Sequence, residues 1–263
     1  MWAEAVETLG KNEQGGNGVI LFDDAIQIVK DFAKEIDCKV PGKIKAVFAI
    51  GSLGSDYYRP GQSDIDTAII VDVPRCELFD IAVKVVETAK KYQDKYNVPK
   101  GFGSVVFAEE QLYPPYIKEE ELIQEVLRLK TQARLVYGNY DLQNVPIPDW
   151  KAIKDDILNF QEWVDSEPPM EHDTVSFVNS TLIALKRYLL LKHHIIEFNK
   201  FKVIDLYEKN APILVNREIF AFIDHYLHDR PYEWNDEIRD KYVLWHDKLY
   251  RVINDAVLYN DNE

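Results

Sequence analysis

Two aspartates, Asp64 and Asp66, are separated by one residue at the start of a segment rich in Ile and Val. Successive side chains of a β-strand point to opposite faces, so both carboxylates would share one face, roughly 6–7 Å apart along the strand. Carboxylates at that separation repel each other unless a cation lies between them. Mg²⁺ prefers oxygen ligands and is commonly shared with substrate phosphates. The pair therefore predicts a magnesium site that serves a phosphorylated substrate.

A glycine–serine pair, Gly51 and Ser52, precedes the aspartates and follows the apolar run 44–50 (IKAVFAI). Glycine lets backbone amides approach a ligand closely, and a turn of this kind at a strand end can hold phosphate oxygens. Each feature alone has an ordinary explanation: an exposed strand face for the aspartates and a β-turn for the glycine. Both features in this order, with an apolar strand behind the carboxylates, favour a site for a metal-bound nucleotide.

The elements that must position these residues alternate between helix and strand. Apolar spacing predicts helices from Phe22 to Ile36 and from Leu78 to Tyr92, and strands at 44–50, 64–71 and 104–108. From about Pro114 onward we expect helices only, at 119–136, 150–164, 174–198, 217–227 and 236–258. The sequence therefore predicts an α+β protein: a small mixed sheet with helices on it in residues 1–140, and an all-α helical bundle in residues 141–263.

Composition excludes several classes of protein. Lys and Arg total 31 against 45 Asp and Glu, so the formal net charge is −14. Such a chain repels nucleic acid unless a basic groove is segregated, so we expect no general nucleic-acid binding.

Two cysteines without a CxxC motif predict neither a disulfide framework nor a zinc site of that type. The first residues lack a signal-peptide pattern and no apolar run spans a bilayer, so we expect a cytoplasmic protein that does not enter membranes.

Residues 51–66, GSLGSDYYRPGQSDID, resemble the signature of the DNA polymerase β-type nucleotidyltransferase superfamily. The end of this block, from Arg59 to Asp66, resembles most closely the bacterial aminoglycoside nucleotidyltransferases. Among these, the streptomycin/spectinomycin adenylyltransferases have a similar length and the same order of a catalytic domain followed by a helical domain. The resemblance extends over the whole chain in layout, but only residues 51–66 are specific.

This resemblance implies transfer of AMP from ATP to a hydroxyl of a small molecule, with an aminoglycoside-like compound as one acceptor. It assigns nucleotide binding to Gly51, Ser52 and Ser63, and Mg²⁺ binding and catalysis to Asp64 and Asp66. In the helical half it assigns nucleotide phosphates to Arg187 and Lys202, with Lys200 as an alternative to Lys202. Glu171 and Asp173 become acceptor-binding residues.

Arg187 is placed in an apolar helical run, and burial of a lone charge is costly. Its guanidinium either meets an anionic partner or faces solvent, and the sequence leaves both open.

One residue of the family pattern is missing. The family places a third acid on the strand beside the aspartates, as a metal ligand or general base, and by position it should lie near Phe102. Residues 100–110 read KGFGSVVFAEE, and Glu109 and Glu110 come several residues too far along a strand to join the pair. Two functions therefore stay open: an enzyme whose base comes from elsewhere, and a non-catalytic or regulatory nucleotide binder with the same fold.

Overall fold

The computed structural model describes residues 19–55, 57–98, 100–118, 120–156, 174–210 and 215–258. The chain forms two compact units. The sheet unit comprises Met1–Tyr116 and Gln132–Pro146, and the helical unit comprises Ile117–Thr131 and Ile147–Glu263. The division into residues 1–140 and 141–263 stays a prediction.

In chain order, the elements through the first unit and into the second are α1 (Phe22–Lys39), β1 (Ile44–Ile50), a one-turn helix α2 (Gly51–Gly54), β2 (Ile65–Val71), α3 (Leu78–Tyr96), β3 (Phe102–Ala108), α4 (Glu120–Gln132) and β4 (Arg134–Gly138). The strands form one sheet in the order β3-β2-β1-β4, in which β2 is parallel to β3 and the other pairs are antiparallel. The predicted small mixed sheet and the α+β class are confirmed.

The core of the sheet unit packs against the face of β2 opposite Asp66. Ile65, Ile69 and Val71 lie on one face of β2 and pack in a cluster with Phe32 of α1 and Val85 of α3. Each fully buried aliphatic side chain contributes about 1.5–3 kcal/mol, and a one-residue slip would move the whole set to the other face. This core therefore fixes the register of β2, and with it the position of Asp66.

The helix predicted at 119–136 is wrong at its C-terminal end, and so is the expectation that strands end before Pro114. Helix α4 stops at Gln132, and β4 pairs with β1, Arg134 opposite Ala49. The helical apolar period continues through Leu135 and Val136, but the open edge of β1 supplies backbone partners that override this local preference. Strand β3 also begins at Phe102, two residues earlier than predicted.

The helical unit contains most of α4, a helical segment at 150–156, α5 (Thr174–His193), α6 (Lys200–Asn210), α7 (Arg217–Leu227) and α8 (Asp236–Leu258). The bounds predicted for α7 and α8 are confirmed. The helix predicted at 174–198 ends at His193, because His194 adopts a left-handed conformation (φ 53°). Helix α6 was not predicted, and residues 157–164 of another predicted helix lie outside the described residues. No helix in the described part of the chain is both long and apolar enough to cross a membrane.

Candidate functional site

Asp66 occupies a position that the sheet defines from both sides. It lies opposite Ile50, the last residue of β1, and opposite Gly103 on β3. Because Gly51 and Ser52 follow Ile50 directly, the register brings Asp66 to the strand end where the glycine–serine pair begins. Asp64 lies just before the first residue of β2, close enough to Tyr58 to act on its ionisation. The pKa of the Tyr58 phenol is raised, mainly by burial and further by the charges of Asp24 and Asp64.

Gly51 and Ser52 form the first half of α2. Gly51 has a positive φ of 63°, a conformation that favours glycine, and it turns the chain out of the extended strand. The Oγ atom of Ser52 is buried and has no hydrogen-bond partner in the structure as described. A buried hydroxyl without a partner costs about 1–3 kcal/mol, which a ligand oxygen would recover. The glycine–serine pair therefore fits a phosphate, and Asp66 at the same strand end, with Asp64 two residues before it, has the oxygen donors that Mg²⁺ prefers.

The loop between α2 and β2 is held by its own side chains. The Oγ atom of Ser63 accepts a hydrogen bond from the Arg59 amide at 3.0 Å, and the Ser63 amide donates to the Arg59 carbonyl at 2.9 Å. Tyr58 donates its hydroxyl hydrogen to the Ile20 carbonyl at 3.3 Å, and the Tyr57 hydroxyl accepts from Gln132 at 3.3 Å. Ser63 thus closes a turn that leads into the aspartates, and the two tyrosines anchor the loop.

A glycine lies beside Asp66 on β3, next to the position where the third acid of the family pattern was expected. Gly103 pairs with Asp66, and a Cβ atom at Gly103 would lie 2.5 Å from Asp66 Oδ1. The strand position that faces the aspartate is therefore a glycine in close contact with it. Within the described residues, no group of three or more His, Cys, Asp or Glu side chains is placed to hold a metal.

Glu109 and Glu110 lie beyond the other end of β3, about 20 Å along the strand from Gly103. Glu109 forms an ion pair with Lys45, and Glu110 accepts a hydrogen bond from the Arg75 amide at 2.6 Å. They hold the far end of the sheet together and do not approach Asp66.

The predicted residues of the helical unit have different surroundings. Arg187 is 8% exposed, so the solvent-facing alternative for this residue is wrong. Lys202 on α6 is exposed, whereas Lys200 lies near enough to Lys186 to act on its pKa. Glu171 and Asp173 lie outside the described residues.

Lys186 is a charged residue that the sequence reasoning missed. The pKa of its amine is lowered to about 8, mainly by burial and further by the charges of Lys200 and Arg128, with Glu197 acting in the opposite direction. The signal in the sequence is a Lys–Arg pair inside the apolar run 182–191. Two consecutive cations on one helix cannot both be directed away from its packed surfaces when most neighbours are apolar.

Comparison with known proteins defines the class of the first half. Residues 29–134 match the family model described as the nucleotidyltransferase domain. This part of the chain is therefore a nucleotidyltransferase domain, and the superfamily recognised from residues 51–66 is confirmed. No curated protein sequence matches the chain.

Among solved structures, the chain is similar to the spectinomycin adenyltransferase AAD(9) from Enterococcus faecialis, determined with ATP and spectinomycin. The similarity covers 87% of this chain and 98% of that one, at 18% identity and a TM-score of 0.60, and it establishes a common fold. A mutant of the toxin–antitoxin complex MntA-HpeT and a toxin–antitoxin structure with AMP-PNP share 12% and 14% identity over 51% of this chain and 88% of theirs. Their TM-score of 0.27 supports no inference.

Proposed function

We propose that this protein is a Mg²⁺-dependent adenylyltransferase that moves AMP from ATP to a hydroxyl of a small molecule. The observation that carries the proposal is the placement of Asp66, in a nucleotidyltransferase domain, at the strand end where Ser52 holds a buried hydroxyl without a hydrogen-bond partner among the described residues. An acid that binds metal and a hydroxyl that binds phosphate are the two functions that adenylyl transfer needs at this point.

Each residue then has a defined task. Asp64 and Asp66 hold Mg²⁺, which when bound neutralises charge on the triphosphate. Ser52 donates its hydroxyl hydrogen to a phosphate oxygen, and the positive φ of Gly51 turns the backbone so that no side chain blocks the nucleotide. Ser63 keeps the loop closed ahead of the aspartates. From the family resemblance, we assign nucleotide phosphates to Arg187 and to Lys202 or Lys200.

For the acceptor we propose a cationic aminoglycoside-like compound, bound in part by Glu171 and Asp173, and antibiotic resistance in the cytoplasm as the role. The net charge of −14 supports a cationic acceptor, because acidic surroundings raise the local concentration of such a compound. The similar adenyltransferase was determined with spectinomycin, which supports testing aminocyclitols first.

The test is turnover by the full chain with ATP, Mg²⁺ and a panel of aminoglycosides and aminocyclitols, with pyrophosphate release as the readout and a mass increase of one AMP on the acceptor as confirmation. We expect release that depends on one class of acceptor and on Mg²⁺. Absence of release with every acceptor would remove the resistance role.

A second function is favoured by one observation, the contact of Gly103 with Asp66 where an acid was expected. It is a nucleotide binder without efficient transfer. This alternative predicts that ATP with Mg²⁺ raises the melting temperature without product, and that Asp66→Ala leaves ATP binding nearly unchanged. Product formation that is lost in Asp66→Ala would exclude it.

A further inference from the structure

A buried glutamine, Gln132, lies where helix α4 ends and the chain returns to the sheet unit. The residue is only 4% exposed. A buried side-chain amide is unfavourable unless its polar atoms form hydrogen bonds, so a glutamine at such a position requires a partner. The partner lies 75 residues earlier in the chain: the Nε2 atom of Gln132 donates a hydrogen bond to the Tyr57 hydroxyl oxygen at 3.3 Å.

The backbone of Gln132 contacts the same segment at a second point. Gly54 lies against the carbonyl oxygens of Gln132 and Ala49, because a Cβ atom at Gly54 would lie 1.8 Å from the first oxygen and 2.5 Å from the second. Both oxygens are backbone atoms, so neither can move aside as the end of a flexible side chain would. The end of α4 therefore packs directly on the backbone of α2, and residue 54 has no room for a side chain.

Helix α2 depends on such outside contacts for its position. It consists of the single turn Gly51–Gly54, and one turn of helix is unstable by itself because several dihedral angles are fixed for one hydrogen bond. Leu53, which is fully buried in the core of the sheet unit, fixes α2 from one side. Gln132 fixes its C-terminal end at Gly54 and the following loop at Tyr57.

The segment that Gln132 contacts is joined tightly to Ser52. Gly54 is two residues beyond Ser52 in the same turn. The next residue, Ser55, donates two hydrogen bonds to the Gly51 carbonyl, one from its amide at 3.2 Å and one from its hydroxyl at 2.6 Å. Residues 51–55 therefore move as one piece, and a shift at Gly54 also displaces the Ser52 hydroxyl.

We propose that Gln132 is a positioning residue for the nucleotide, which holds α2 in the orientation that brings the Ser52 hydroxyl to a phosphate oxygen. The inference rests on the proposed function, in which Ser52 has this task. Gln132 acts through Gly54 and Tyr57. A displacement of about 1 Å in a group that aligns a reacting substrate can lower the rate by about 100-fold, so loss of a positioning residue lowers kcat even when the fold is retained.

The experiment compares Gln132→Met with Gln111→Met in the full chain. Methionine has nearly the length of glutamine and lacks the amide. Gln111 is the matched control because it is also buried, at 5% exposed, and its Oε1 accepts a hydrogen bond from the Ala108 amide at 2.9 Å, beyond the other end of β3. Both variants should lower the melting temperature by similar amounts. At a temperature where both are folded, only Gln132→Met should lower kcat for AMP transfer, by about 10- to 100-fold.

A second variant tests the hydrogen bond from its other side. Tyr57→Phe keeps the ring and removes the hydroxyl that accepts from Gln132, so it should lower kcat by about 5-fold or more. The double variant should be no slower than the slower single variant, because both substitutions remove the same hydrogen bond. If Gln132→Met does not fold, Tyr57→Phe alone decides, and a kcat equal to that of the parent protein would then overturn the proposal.

Hydrogen exchange gives a readout that needs neither ATP nor acceptor. Amides of residues 51–55 should exchange faster in Gln132→Met than in the parent protein, and Gln111→Met should leave them unchanged. Absence of AMP transfer in the parent protein would contradict the proposed function, whereas exchange would still decide whether Gln132 positions α2. Three results would overturn the inference: parent-like exchange at 51–55 in Gln132→Met, a kcat equal to that of Gln111→Met, or additive losses in the double variant.

Discussion

The free-energy cost of positioning a charged group differs between the sheet unit and the helical unit. In the sheet unit, Asp66 is set by backbone pairing with Ile50 and Gly103 and stays partly exposed, so its charge costs little. In the helical unit, Arg187 is buried and Lys186 is half-buried on α5, and burial lowers the pKa of Lys186. Burial of a charge is unfavourable unless something pairs with it. The difference teaches that register alone can position an acid at a partly exposed strand end, whereas burial on a packed helix changes the ionisation of a cation.

The two cores differ as well. The sheet unit is packed mainly by aliphatic side chains of its strands and of α1 and α3. The core of the helical unit contains more aromatic side chains: the ring centroid of Phe222 lies 5.2 Å from those of Trp234 and Tyr242. Among the described residues, buried side-chain atoms without a hydrogen-bond partner are Ser52 Oγ in the sheet unit and Glu125 Oε2, Thr181 Oγ1 and His246 Nε2 in the helical unit. The helical unit thus tolerates unsatisfied polar groups inside its core.

The largest effect should come from Asp66→Asn. It removes a metal ligand while the pairing of β2 remains, so we expect AMP transfer to fall by about 10³-fold or more with little change in melting temperature. Pyrophosphate release and thermal unfolding measure the two quantities. Asp94→Asn, an exposed carboxylate on α3 that pairs with Lys90, is the control and should keep full activity. A large fall in the melting temperature of Asp66→Asn would show that the carboxylate itself stabilises the fold. It would contradict the idea that strand pairing alone positions Asp66.

Core truncations should separate the two units. Ile69→Ala on β2 and Leu185→Ala on α5 each remove a fully buried side chain, and each should cost about 2–5 kcal/mol of the free energy of unfolding. We expect denaturant unfolding, followed by hydrogen exchange in each unit, to show that each variant lowers protection mainly in its own unit. Equal loss of protection in both units would mean that they unfold as one.

His246 should make the helical unit sensitive to acid. Burial lowers the pKa of this imidazole to about 4 from an ordinary 6.5. The unfolded chain then binds a proton that the folded chain does not, so stability is retained above pH 6.5 and lost as the pH falls toward 4. The full loss is about 3 kcal/mol. Unfolding free energies at pH 7 and pH 4.5 measure it, and His246→Phe should flatten the dependence in the helical unit. An unchanged pH dependence in that variant would assign the loss to other groups.

The smallest effect should come from Gly103→Ala. The new Cβ would press on Asp66 Oδ1, so we expect a loss of about 1–3 kcal/mol in the sheet unit and weaker stabilisation by ATP with Mg²⁺. Gly42→Ala is the contrasting control: its φ is 71° and no atom lies within 4 Å of the new Cβ, so it strains the backbone without touching the site. If ATP with Mg²⁺ stabilises Gly103→Ala as much as it stabilises the parent protein, the contact between residue 103 and Asp66 does not limit nucleotide binding.

Local patterns in the sequence were sufficient for much of the fold. Strand β1 could be predicted at its true bounds, because an apolar run follows the breaker Pro41–Gly42. Helix α8 could be predicted because its apolar residues keep a helical period over its whole length. The sequence also contains a signal for helix α6, the asparagine that precedes it. In the structure Asn199 accepts a hydrogen bond from the Phe201 amide at 3.0 Å, as a capping residue does.

What the sequence could not supply depends on distant partners. Strand β4 exists because β1 offers an edge, and the residues of β4 alone favour a helix equally well. The contact between Gly103 and Asp66 depends on the register of two strands, and the enclosure of Lys186 depends on α4 and residues 195–198. Only the motif at 51–66 allowed candidate site residues to be predicted from the sequence, because its residues are close together in the chain.

The order of elements has a consequence for synthesis of the chain. A ribosome must complete α4, most of which joins the helical unit, before it releases β4, the strand that covers the outer edge of β1. Until residue 138 has left the exit tunnel, that edge can pair with another nascent chain. A gene fragment cut after residue 116 would keep the edge open permanently, so a fragment intended to stay monomeric must retain Arg134–Gly138.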